Sequence, residues 1–161
     1  MGTSTDAYLF YGISFVDEEL EVNGEFLSPW DADEALQDKL TEHFGFSESE
    51  PKLPDDYWGN KNRDEALYKS WRPLHDEWQK QRDEATPNVE IKTHCSDAVT
   101  LPLLTTGETF HSASRGYPRE INLQELVKFD TKEMDDRIKQ ACEIMGWEYT
   151  QPSWQIASYW G

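Results

Sequence analysis

The sequence predicts an α+β fold: one domain over residues 1–161, a mainly antiparallel sheet of four to five strands packed with about three helices. Three observations carry this. Two-residue alternation appears at 6–15, 88–95 and 154–160, and helical spacing with capping signals appears at 28–45 and 130–146. The two periods follow one another as β-α-α-β-β-(β)-α-β, without a repeat. The hydrophobic fraction is only 37%, yet it includes seven Trp, seven Tyr and seven Phe. Large rings bury much area per residue, so such a core suffices, whereas disordered chains are poor in aromatics.

Residues 6–15 (DAYLFYGISF) read as the first strand. Leu9, Tyr11, Ile13 and Phe15 share one face and Tyr8, Phe10, Gly12 and Ser14 the other, so both faces are apolar and the strand is central. Gly12 marks a bend or a close backbone approach. The acidic stretch from Asp17 ends in Asn23-Gly24, a turn signal. Ser28-Pro29-Trp30-Asp31 starts a helix, with Ser28 as N-cap and Pro29 in the first turn. Ala32, Leu36, Lys39, Leu40, His43 and Phe44 follow at helical spacing, and Gly45 ends the helix in a left-handed conformation.

Residues 46–62 hold two prolines, a glycine and clustered acids, and read as an extended acidic loop. From Arg63 to Arg82, Leu67, Trp71, Leu74 and Trp78 recur at helical spacing, with Pro73 expected to kink or split the helix near Trp71. Val89, Ile91, Thr93 and Cys95 alternate against Glu90, Lys92 and His94. A second apolar run at 98–104 holds Pro102, which marks an edge or an irregular end. Thr105-Thr106-Gly107 turns the chain, and 108–115 returns as a further strand. Asp130-Thr131-Lys132-Glu133 is a capping box ahead of Met134, Ile138, Ala141, Cys142 and Met145, closed by Gly146. Trp154, Ile156, Ser158 and Trp160 line one face of a strand that docks the C-terminal segment into the sheet. Core packing is the expected role of Trp71, Trp78, Trp154 and Trp160.

Thr5-Asp6-Ala7-Tyr8-Leu9-Phe10-Tyr11-Gly12, His94-Cys95-Ser96, Ser114-Arg115-Gly116-Tyr117-Pro118 and Ser158-Tyr159-Trp160-Gly161 together resemble a family of small, acidic, uncharacterised proteins of tailed bacteriophages and their prophages. Residues 16–85 carry no part of the resemblance. It implies a setting, the cytoplasm of an infected bacterium, and no mechanism.

The densest reactive cluster is His94, Cys95, Ser96 and Asp97, followed by His111, Ser112, Ser114 and Arg115. A cysteine nucleophile needs a base within hydrogen-bond reach. On a strand His94 and Cys95 point to opposite faces, so His111 would have to be the base, which requires 108–115 to pair beside the Cys95 strand. The ordinary alternative is a small thiol packed beside Val89 and Ile91. His94, Cys95 and His111 match no common zinc spacing, and an alternating calcium loop is absent, so neither metal nor cofactor is expected. Ser112, Ser114 and Arg115 before Gly116 offer an anion-binding turn for a phosphate or nucleotide, against the plainer reading of a loop whose arginine meets a carboxylate. The paired carboxylates sit in solvated runs rather than in contrasting environments, and carry no acid–base chemistry. Cys95 and Cys142 read first as free thiols of a reducing cytosol, with a single disulfide as the lesser alternative. There is no secretory h-region and no apolar run near the ~18 residues of a membrane span.

Charge supplies the strongest functional signal. The net charge is −17, and the first 60 residues hold 15 acidic side chains against two basic ones, Lys39 and Lys52. Nucleic acid and anionic membrane are repelled by such a half-chain, while a basic protein surface is attracted. The leading expectation is a non-enzymatic binding protein acting on a basic host protein, as a counter-defence or host-takeover inhibitor. Its contact residues are Asp17, Glu18, Glu19, Glu21, Asp31, Asp33, Glu34, Asp55 and Asp56, with Trp30 and Trp58 as aromatic anchors. In its strong form these acids imitate nucleic-acid phosphates. The rival is a small hydrolase or a nucleotide- or phosphate-binding protein built on Cys95, His111 and Arg115. The sequence neither requires nor forbids self-association.

Overall fold

The computed structural model describes residues 5–16, 20–54, 57–59, 64–96 and 99–160. The fold is α+β. The chain divides into two compact units, residues 1–40 with 88–161, and residues 41–87.

In the first unit the strands are β1 (Thr5–Ser14), β2 (Leu20–Val22), β3 (Glu25–Leu27), β4 (Val89–Ser96), β5 (Thr100–Thr106), β6 (His111–Ala113) and β7 (Ser153–Trp160). Five of them form one sheet in the order β5-β4-β7-β1-β6, and β5 also pairs with β1. The circuit β1-β7-β4-β5-β1 therefore closes. All its pairings are antiparallel except the short parallel contact of Cys95 and Ser96 with Tyr159 and Trp160. β2 and β3 form a separate hairpin. Asn23 (φ 56°) and Gly24 (φ 85°) turn it, both left-handed as a tight hairpin turn demands.

One edge of β1 pairs with β7 from Thr5 to Gly12. The opposite edge is shared, with β6 covering Ala7–Leu9 and β5 covering Gly12–Ser14. Between them the backbone of Tyr11 meets hydroxyls instead of a strand. Thr105 Oγ1 donates to the Tyr11 carbonyl at 2.9 Å, and the Tyr11 N–H donates to Thr109 Oγ1 at 3.4 Å. Thr109 in turn donates to the Thr106 carbonyl at 3.1 Å from a 3-10 turn at 107–109. Thr105, Thr106 and Thr109 are fully buried, so their hydroxyls stand in for the missing ladder. At the crossing with β5 a Cβ on Gly12 would lie 2.1 Å from the Leu104 carbonyl oxygen, so only glycine fits. Pro102 lies just past the β1–β5 ladder. Its carbonyl still accepts the Phe15 N–H at 3.0 Å, and the N–H it lacks falls where β1 pairing has ended.

Helix α1 (Pro29–Phe44) buries Pro29, Ala32, Leu36 and Leu40, and α4 (Thr131–Met145) buries Met134, Ile138, Ala141, Cys142 and Met145. Both stripes join Tyr11, Ile13, Val89, Ile91 and Leu104 in one core on a single face of the sheet. Asp130 caps α4 by accepting the N–H groups of Lys132 and Glu133, and Gly146 (φ 77°) ends it. Two polar side chains of α1 seal the outer edge of β4. Asp33 accepts the Ile91 N–H at 2.7 Å and Gln37 donates to the Val89 carbonyl at 2.9 Å. A short α3 (Leu123–Leu126) and the β2–β3 hairpin have no counterpart in the sequence reading.

The second unit is built on α2 (Glu65–Ala85), capped by Asp64. Pro73 lies inside it without splitting it, contrary to one form of the expectation. An interior proline loses one helical hydrogen bond, and the contacts made by neighbouring rings offset that loss. The Trp71 indole N–H donates to the Pro51 carbonyl at 2.7 Å and the Trp78 indole N–H to the Glu48 carbonyl at 2.9 Å. His75 meets Glu50 at 3.3 Å between them. Seven helical residues span about 10.5 Å and three residues of extended chain reach about the same length, so the two ladders stay in step. Tyr68, Trp71, His75 and Trp78 make successive ring contacts at centroid distances of 4.6–5.9 Å. These tryptophans thus hold an extended strap rather than a central core.

Two substitutions test the β1 junction. Gly12→Ala should destabilise by about 3 kcal/mol or more, because the obstacle is backbone. Thr109→Val keeps the shape but removes the acceptor of the Tyr11 N–H, and should cost about 1–3 kcal/mol. Denaturant unfolding with an unchanged m-value checks both, and a neutral Gly12→Ala would contradict the close approach.

Candidate functional site

The reactive residues singled out above do not converge. Strand β6 pairs with β1, not with β4, so β7 and β1 separate His111 from Cys95. The register also places the two histidines on opposite faces. His94 lies opposite Leu101 on the face of Phe10 and Leu103, while His111 lies opposite Leu9 on the face of Tyr11. Each carries a buried Nε2 without a hydrogen-bond partner. Burial pushes both imidazoles below their ordinary value, and for His111 the nearby Arg119 charge adds to the effect. Cys95 is half-buried and adopts φ 83°, a left-handed conformation that breaks the alternation expected of β4. Cys142 is the packed thiol: burial raises it to about 11, helped by Glu143. Among the described residues no three His, Cys, Asp or Glu side chains gather as a metal site.

The Ser112, Ser114 and Arg115 segment behaves as a plain turn. Ser112 and Ser114 are exposed, the Ser114 carbonyl accepts the Tyr117 N–H at 2.9 Å, and Gly116 takes φ 78°. The Arg115 backbone N–H donates to Asp6 Oδ1 at 3.4 Å.

The acidic residues divide by use. Asp33 is consumed inside the fold by Ile91. Asp31 exchanges hydrogen bonds with Ser28 at the start of α1 yet stays exposed. Asp31, Glu34 and Asp38 recur at intervals of three and four on the side of α1 opposite its buried stripe. Glu21 and Glu25 are exposed on the hairpin. Asp17, Glu18, Glu19, Asp55 and Asp56 lie outside the described residues, as does Asp97. Seven cations of the later chain are taken up locally. Lys69, Arg72, Lys80, Arg82, Lys92, Arg137 and Lys139 pair with carboxylates between residues 65 and 143.

Of the expected aromatic anchors, Trp30 is 70% exposed on the first turn of α1. Trp58 is also exposed but rests edge-on against Tyr57 and Tyr68 within the second unit. Trp160, expected in the core, is half exposed, and its neighbour on the same face, Ile156, is 82% exposed, because the helices cover only part of that sheet face.

An open groove of about 410 Å³ lies beside the hairpin. Ile13, Phe15 and Trp147 supply its apolar base, and Glu21, Phe26 and Glu148 stand at its rim. Trp147 is fixed by an edge contact with Phe15 at 5.7 Å and by its indole N–H donating to the Glu21 carbonyl at 2.9 Å. Glu21 and Phe26 are cross-strand partners, so carboxylate and ring project side by side. Sequence reasoning passed over Phe26, Trp147 and Glu148. The available signal was Asn23-Gly24 between Leu20-Glu21-Val22 and Glu25-Phe26-Leu27, a short hairpin pattern. Comparison with known protein families, characterised proteins and solved structures finds no match for this chain. No described helix is long and apolar enough to cross a membrane.

The titratable groups set a pH window for stability. His94 and His111 are held below 6.5 in the fold, so their stabilisation is present above 6.5 and lost as pH falls through their folded values. Burial and the Asp135 hydrogen bond raise Tyr11 to about 12, and Cys142 stands at about 11. Their contributions are present below 10.0 and 9.0, their ordinary values, and lost as pH rises through those higher ones. The thermal midpoint should therefore be highest between pH 6.5 and 9.0. His94→Gln and His111→Gln should each flatten the acid limb. An unchanged limb in both would contradict the assignment.

Proposed function

We propose that the protein is a non-catalytic binding protein that docks on a cationic surface of another protein through the outer face of α1 and the adjoining hairpin. The observation that carries this reading is the segregation of charge. Glu21, Glu25, Asp31 and Glu34 stand exposed in the leading segment, while seven lysines and arginines of the later chain are engaged with later carboxylates. The field is thus anionic on one part of the molecule, which accelerates encounter with a basic surface and rejects acidic competitors. Trp30 and Phe26, 70% and 67% exposed beside these acids, supply the rigid rings that anchor an interface.

Spacing argues against phosphate imitation. Carboxylates on α1 recur about every 5 Å along the axis, sparser than the ~3.4 Å per phosphate of a single DNA strand. Discrete lysines and arginines on a protein suit the pattern better than a nucleic-acid groove does. The resemblance of both ends and the middle of the chain to proteins of tailed bacteriophages supports a bacterial host protein as the target. Inhibition in the host cytoplasm, as counter-defence or takeover, is the outcome such a protein serves.

A partner retained from bacterial lysate at low salt should dissociate as ionic strength approaches ~1 M, where screening acts within ~3 Å. Reversing Asp31 and Glu34 to Lys should weaken its binding at least about tenfold, with a stability change within about 1 kcal/mol. Binding indifferent to both salt and charge reversal would sink the reading.

A further inference from the structure

We propose that the groove beside the β2–β3 hairpin receives a bulky apolar side chain flanked by lysine or arginine on the partner protein. This deepens the reading above and rests on it: the acidic face supplies attraction, and the groove supplies the anchor.

The chemistry of the groove selects this occupant. Its base is apolar, and a single hydrocarbon or aromatic side chain entering it removes Phe15, Phe26 and Trp147 surface from water together. Phe26 is two-thirds exposed at the mouth of the groove, so its ring is open to contact by a partner. The charged groups that line the groove are the carboxylates of Glu21 and Glu148, both exposed, with the hydroxyls of Ser14 and Thr150 beside them. They repel an acidic or phosphorylated segment and favour a cation directly next to the apolar anchor. The indole N–H of Trp147 is already committed to the Glu21 carbonyl, so the base offers apolar contact from that ring rather than a donor. Charge and shape thus specify one pattern, an apolar side chain between basic ones. A purely basic segment lacks the anchor, and a purely apolar one lacks the attraction.

The test uses the full chain, isotopically labelled, and three synthetic peptides. The first is Lys-Lys-Phe-Leu-Lys-Lys, the second Lys-Lys-Gly-Gly-Lys-Lys, and the third Gly-Gly-Phe-Leu-Gly-Gly. The first peptide should bind at least about tenfold more tightly than either other, and it alone should shift the Trp147 indole N–H resonance. Phe26→Ser, at an exposed position, should reduce the first peptide to the affinity of the second. Changing Glu21 and Glu148 together to Gln should lower its affinity and its salt dependence. The groove assignment is overturned if the first two peptides bind equally, or if Phe26→Ser leaves the first unaffected. That result alone leaves the acidic-face reading standing, since the purely basic peptide still binds and still responds to Asp31→Lys with Glu34→Lys. Failure of all three peptides removes the groove, and failure of the charge reversals to alter partner binding removes the broader reading separately.

Discussion

The backbone of Tyr11 is the point on which the closed sheet depends. Strand β1 must satisfy three partners, and along one edge it passes from β6 to β5 within two residues. A strand carries its donors and acceptors at fixed spacing, so such a change leaves one residue unserved. Thr105 and Thr109 serve it with hydroxyls, and Gly12 then lets β5 approach where any side chain would collide with Leu104. Circuit closure follows, and with it the face on which α1 and α4 pack. Tyr11 contributes twice, because its own hydroxyl donates to Asp135 on α4 at 2.7 Å and ties the sheet to that helix.

Local chemistry was legible in the sequence wherever a short-range pattern decides the outcome. The Ser28 and Asp130 caps, the apolar stripes of α1 and α4, and the left-handed stops at Gly45 and Gly146 all appear where the residues place them. Gly12 was legible as a close approach, though its partner Leu104 was not. Long-range choices were hidden. Nothing near His111 tells whether β6 lies beside β4 or β1, and that choice determines whether Cys95 has a base. The left-handed conformation of Cys95 was likewise unannounced; it falls where β4 meets Tyr159 of β7 and leads into a turn closed between Ser96 and Val99. Pro73 misleads for a related reason, since the helix around it is held by a strap whose docking depends on indoles two turns apart.

The site itself was half visible. Composition located the acidic segment, and the structure leaves Asp31, Glu34 and Asp38 exposed on one side of α1. Asp33, foreseen as a contact residue beside Asp31 and Glu34, falls at helical spacing next to Pro29 and Leu36 and serves the edge of β4 instead. The groove could not be seen because its base joins Ile13 and Phe15 to Trp147 from the far end of the chain. What links these findings is the local pairing of cations along α2 and α4, mostly one helical turn apart. Such exposed pairs add little stability, but they give five of the lysines and arginines on these helices a carboxylate on their own helix.

The pairing of β1 with β7 bears on how the molecule is made. Gly12 and Gln155, joined by a side-chain hydrogen bond, lie 143 residues apart in sequence, so a ribosome must deliver all of that stretch before the first strand finds its longest neighbour. The excursion at 41–87 closes through contacts between near neighbours and needs no such wait. Synthesis therefore favours an early, locally organised hairpin of strap and helix, while the sheet matures late and slowly because its closure joins remote segments.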